Sequence, residues 1–122
     1  MIQVISAPDN IVAFRAMGEV TKEDYENIVV PKVEELVKRI HEINFLLVLD
    51  TEIKNFTAGA WKEDILLGLK NFGKWNRAAI ITDSQDVIGF TDKFSYAVPG
   101  EFRGFKKEDF NEALNWVEGN MK

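Results

Sequence analysis

Phe45-Leu46-Leu47-Val48-Leu49-Asp50, "FLLVLD", is the stretch on which the fold turns. Five apolar residues in succession leave no polar face. A strand with that pattern is buried on both sides, as central strands of parallel sheets are. A second run, Arg77 to Thr82, "RAAIIT", has the same character and leads into Asp83. Parallel strands need a long crossover, usually a helix. The segment between them supplies one: residues 51–57 read as loop, then Trp61, Ile65, Leu66, Leu69 and Phe72 recur at helical spacing over Ala58 to Phe72. Gly73 is placed to stop that helix.

Upstream, Ile2 to Ile5 reads as a short strand, Pro8-Asp9-Asn10 as a turn, and Ile11 to Val20 as an antiparallel partner completing a hairpin. Thr21 stands where an N-cap belongs, with Glu23 and Asp24 in the first turn. Apolar positions from Tyr25 to Ile40 then mark an amphipathic helix over about 22–42. Pro31 lies inside it and predicts a kink or restart, because proline lacks an amide proton and clashes with the carbonyl four residues back. Downstream, Asp83-Ser84 offers caps for a helix over about 86–97, Pro99-Gly100 ends it, Phe102 to Phe105 forms a short strand, and Lys107 to Asn120 a last helix. The order ββαβαβαβα predicts one α/β domain over 1–122. Its sheet is open and mostly parallel, of four to five strands, with an antiparallel N-terminal edge hairpin and four helices.

The 122 residues suffice for one domain with a real core. With no cysteine, disulfides and thiolate metal sites are excluded. Fifteen basic against 20 acidic side chains give a net charge of −5, which argues against nonspecific nucleic-acid binding. Met1 opens a strand-like run with no basic flank, which is not how a secretory signal begins; the expected location is the cytoplasm.

Several stretches together carry a likeness. Trp61-x-x-Asp64-x-x-x-Gly68 is followed by Trp75-Asn76-Arg77-Ala78-Ala79-Ile80-Ile81-Thr82-Asp83, then by Pro99, Phe105, Ala113 and Trp116. Across nearly its whole length the chain resembles the SpoIIAA-like family of small bacterial proteins. That family belongs to the STAS superfamily and also resembles lipid-binding CRAL-TRIO domains. The resemblance implies a sheet backed by helices, homodimers, and either ligand binding or peripheral membrane association. It implies no cofactor.

Thr57 opens "TAGAW" at the head of the second helix. Related anti-sigma antagonists carry a phosphorylated serine in the corresponding Asp-Ser-Ser-Gly loop, and here Gly59 falls at the acceptor position. Thr57 could be a phosphoacceptor, the N-cap of a plain corner, or part of an anion site made by the free amides of Ala58 to Ala60. Asp50 and Asp83 both end predicted parallel strands and would face the same sheet edge, where acid/base work or Mg²⁺ binding is one reading and helix or turn capping the other. His41, the only histidine, sits at a helix end, which gives no catalytic or metal set.

The third helix carries more apolar residues than one face can bury. Val87, Phe90 and Phe94 form a stripe, and Ile88 and Tyr96 point away from it. The site expected from these patterns is therefore a pocket between the second and third helices. Trp61, Ile65, Phe90 and Phe94 would be its apolar walls, and Thr57, Asp83 and Ser84 its polar end. Such a site suits a small apolar or amphiphilic ligand or a membrane surface. The alternatives are a regulatory protein-interaction module and an enzyme using Asp50 and Asp83.

Overall fold

A computed structural model of the chain describes residues 1–119 and places five strands in one sheet in chain order. These are β1 (Ile2–Val4), β2 (Val12–Met17), β3 (Ile43–Asp50), β4 (Trp75–Ile81) and β5 (Glu101–Phe105). Only β1 and β2 are antiparallel; every other pair is parallel. The two apolar runs are neighbours, with Leu46 beside Ala79 and Leu47 beside Ile80.

The connecting helices are α1 (Lys22–Asp24), which runs through a π-helical turn (Tyr25–Val29) into α2 (Val30–Ile40), then α3 (Ala58–Lys70), α4 (Gln85–Phe94) and α5 (Phe110–Glu118). Right-handed crossovers between strands laid in chain order put all the connecting helices on one side. Phe14, Phe45, Leu47 and Ala78 face them, in one core cluster with Val29, Val33, Leu36 and Leu67. The other face of the sheet, with Ala13, Leu46, Val48 and Ile81, is covered by Ala113, Trp116 and Val117 of α5. Burying each large apolar side chain is worth about 1.5–3 kcal/mol, and this double cover is why the β3 run has no polar alternation.

The predicted interruption at Pro31 is a widened turn: the Val30 amide donates to the Tyr25 carbonyl, five residues back. Thr21 caps the helix as expected, in a reciprocal box with Asp24. Burial acts to raise the Asp24 pKa, but hydrogen bonds from the Thr21 amide and hydroxyl outweigh it and hold the carboxyl below its ordinary value.

Several boundaries differ from expectation. Strand β2 ends at Met17 rather than Val20, and Val20 instead bridges to Phe56. The last helix begins at Phe110 after a 3₁₀ turn over Lys107–Asp109, and its expected end at Asn120 lies outside the described residues.

The Trp75-Asn76-Arg77 stretch is structural. Asn76 donates to Asn44, itself fully buried, at 2.8 Å, and Asn44 donates to the Asn10 carbonyl at 2.9 Å. Arg77 lies over the Trp116 ring and donates to the Trp116 carbonyl. Together they tie the starts of β3 and β4 to the hairpin turn and α5.

Candidate functional site

Thr57 accepts a hydrogen bond from the Ala60 amide at 3.1 Å, so its hydroxyl is the N-cap of α3. The corner is further fixed by Val20, which receives the Thr57 amide at 2.9 Å and donates to the Asn55 carbonyl. Gly59 permits a close approach: a Cβ there would stand 3.0 Å from that of Lys22. One side of α3 is thereby seated on α1 and the π turn. Ala60, Leu67 and Asn71 are buried on that side, and Asp64 accepts from the Tyr25 hydroxyl at 3.0 Å.

Burial pushes the Asp64 carboxyl above its ordinary value, offset only in part by the Tyr25 hydrogen bond; burial and the Asp64 charge push the Tyr25 phenol far upward. An acid whose folded pKa is raised holds its proton more tightly folded than unfolded. Its stabilising share is present below the ordinary carboxylate value and is lost as pH rises through the folded pKa. Asp64→Asn, which keeps an acceptor for Tyr25 without the charge, is expected to raise the urea midpoint at pH 7 and to flatten its decline above pH 4. Asp64→Ala, which orphans the hydroxyl, should cost about 1–2 kcal/mol. A less stable Asp64→Asn protein at pH 7 would contradict this reading.

The outward side of α3 is apolar. Trp61, Ile65, Leu69 and Phe72 follow one another at helical spacing, and Ile65 and Leu69 are 57% and 65% exposed. Trp61 stacks on Phe56, ring centroids 5.1 Å apart.

Helix α4 is capped by Ser84, whose hydroxyl accepts from the Val87 amide. It lies along β5 more than over β4. Asp92 accepts the Gly104 amide at 2.8 Å and Ser95 the Phe102 amide at 2.9 Å, so α4 and its end close the outer edge of the sheet. With α3 seated on α1 and α4 drawn to β5, the two helices make at most glancing contact. Phe90 and Phe94 stack on each other, and Phe90 is 69% exposed. An unbroken series of rings, Phe14–Phe45–Trp75–Phe102–Phe94–Phe90, leads from the buried core to that exposed end.

The sequence expectation therefore holds for α3 and α4 as the places where apolar side chains are left over. It misses Leu66, Leu69 and Phe72, which are exposed too. The walls stand open to solvent, and the two best-formed concavities lie elsewhere, between β1 and α2. Thr57 and Ser84 commit their hydroxyls to helix caps.

Asp50 and Asp83 do come together, but around a cation. Lys107 lies 2.7 Å from Asp50 and 3.8 Å from Asp83, and Arg15 is 3.1 Å from Asp50. By strand alternation Asp50 is on the α5 face, with Leu46 and Val48. The carboxylates and the aromatic band thus occupy opposite faces of the sheet. Among the described residues no cluster of three or more potential metal ligands occurs, and no helix is long and apolar enough to cross a membrane.

A family model described as SpoIIAA-like matches residues 11–118. No curated protein matches the sequence. Among solved structures, an uncharacterized protein from the DUF3478 family with a SpoIIAA-like fold, from Shewanella loihica PV-4, is 32% identical and superposes with a TM-score of 0.73, over 96% of this chain and 92% of that one.

Proposed function

This chain belongs to the SpoIIAA-like family, and within that family we propose that it acts as a non-enzymatic binding module for an amphiphile, free or in a membrane surface. The observation that carries the reading is the band of eight exposed large side chains on two splayed helices: Trp61, Ile65, Leu66, Leu69, Phe72, Phe90, Phe94 and Tyr96. Aromatic and branched side chains of this size make the band on the order of 1,000 Å², well above what a monomer ordinarily leaves bare. Lys62 and Lys93 stand exposed on the same helices and suit an anionic head group.

Extraction of protein purified gently from its native cell, followed by mass spectrometry, tests this: an acyl-chain amphiphile enriched over bulk lipid is expected. The second reading, a regulatory interaction module, rests on the same band being the size of one half of a standard protein interface. A stoichiometric protein partner with no enriched amphiphile would favour it and defeat the first.

A further inference from the structure

The two edges of the sheet are finished differently. At β5, side chains of Asp92 and Ser95 take the outward amides of Gly104 and Phe102. At β1 nothing comparable occurs. Gln3 pairs with Arg15, the Ile5 amide donates to Ala13, and the Met17 amide to the Met1 carbonyl. Odd-numbered residues therefore turn their peptide groups toward β2, and Ile2 and Val4 turn theirs outward. Among the described residues those outward groups have no partner. Strand β1 has no proline, lysine or bulge to blunt it, and such an edge is a template for another strand.

The two best-formed concavities, of about 260 and about 460 Å³, both run against this edge and share Val4, Lys32 and Glu35. Val4 is 52% exposed. Lys32 and Glu35 sit one turn apart on α2, opposite charges on the face beside the edge. An isologous contact requires such a self-complementary surface.

We propose that the β1 edge docks a second copy of this chain, which adds its own β1 antiparallel about a twofold axis at Gln3 and joins two five-stranded sheets into one. Ile2 then exchanges both backbone hydrogen bonds with Val4 of the second copy, and Val4 does so with its Ile2. Gln3 faces its own mate in a non-hydrogen-bonded pair. Side chains of Val4 fill the concavities, and Lys32 of each copy meets Glu35 of the other across the axis. The α3–α4 band is left uncovered, so this contact does not depend on the amphiphile reading.

The absence of native cysteine gives a direct test. In a non-hydrogen-bonded antiparallel pair the Cα atoms lie about 4.5 Å apart, within disulfide range. Gln3→Cys is expected to form a covalent dimer under mild oxidation, whereas Leu69→Cys on α3 is expected to stay monomeric. In sedimentation, Val4→Pro should weaken the dimer about tenfold or more, since it deletes two outward amides per dimer. It leaves the β1–β2 ladder untouched, because that amide points away from β2. Val4→Lys is a second variant in case proline unsettles β1. A wild-type chain that stays monomeric at every concentration, or one that cross-links through Leu69→Cys and not Gln3→Cys, overturns the proposal. Amphiphile binding by Val4→Pro reports separately on the α3–α4 face.

Discussion

Gly104→Ala is expected to lower stability by about 3 kcal/mol, which in a domain of this size is about 10 °C in Tm. The methyl would sit 2.6 Å from the Ile88 Cα and 2.9 Å from its Cγ2. The nearer atom is backbone, so no rotamer change relieves the clash, and α4 has to lift away from β5. That movement also pulls Asp92 from the Gly104 amide and Ser95 from the Phe102 amide. Two edge donors are uncovered, and an uncovered edge invites association. Thermal unfolding followed by circular dichroism measures the loss, and amide exchange at Phe102 and Gly104 shows where it arises. Ile88→Ala in the same chain should recover only part of it, because it removes Cγ2 and leaves the Cα in place. A Gly104→Ala protein within about 0.5 kcal/mol of the parent would mean that α4 is not seated on β5 as described.

Gly104 also shows where the sequence stops being informative. A strand interrupted by glycine signals a close approach without saying what approaches. The β3 and β4 runs were legible because burial on both faces leaves its own pattern, and Thr21, Thr57 and Ser84 were legible because caps act within three residues. Pro31 predicted an interruption, and its form, a π turn that lets Tyr25 reach Asp64, depends on a helix 39 residues away. The exposed side of α3 was not legible for a related reason. Its apolar residues occur on more than one side, and periodicity alone does not choose which side seats on α1. Gly59 against Lys22 and Asp64 against Tyr25 make that choice, and both are long-range contacts. The pairing of Asp50 with Asp83 followed from strand adjacency, and the face on which Asp50 lies followed only from its register with Leu46 and Val48.

The seating of α3 also separates stability from binding on a single helix. Leu69→Ser combined with Phe90→Ser is expected to leave the unfolding midpoint nearly unchanged, within about 0.5 kcal/mol, because neither side chain is withdrawn from water in the folded chain. Leu67→Ser, two residues before Leu69, should cost about 2–4 kcal/mol, since Leu67 is buried against the core. Binding is expected to invert this order. If an acyl chain lies along the band, each of Leu69 and Phe90 contributes about 1.5–3 kcal/mol of apolar burial only in the complex. Losing both should then lower affinity for a fluorescent fatty acid by a hundredfold or more. The two measurements share one set of proteins, so a general loss of fold cannot imitate the result: it would appear in the unfolding midpoint first. Unaltered fatty-acid affinity in the double variant would remove the α3–α4 band from consideration as an amphiphile site. A collapsed midpoint would show that these side chains are covered in solution and that the band belongs to a protein interface.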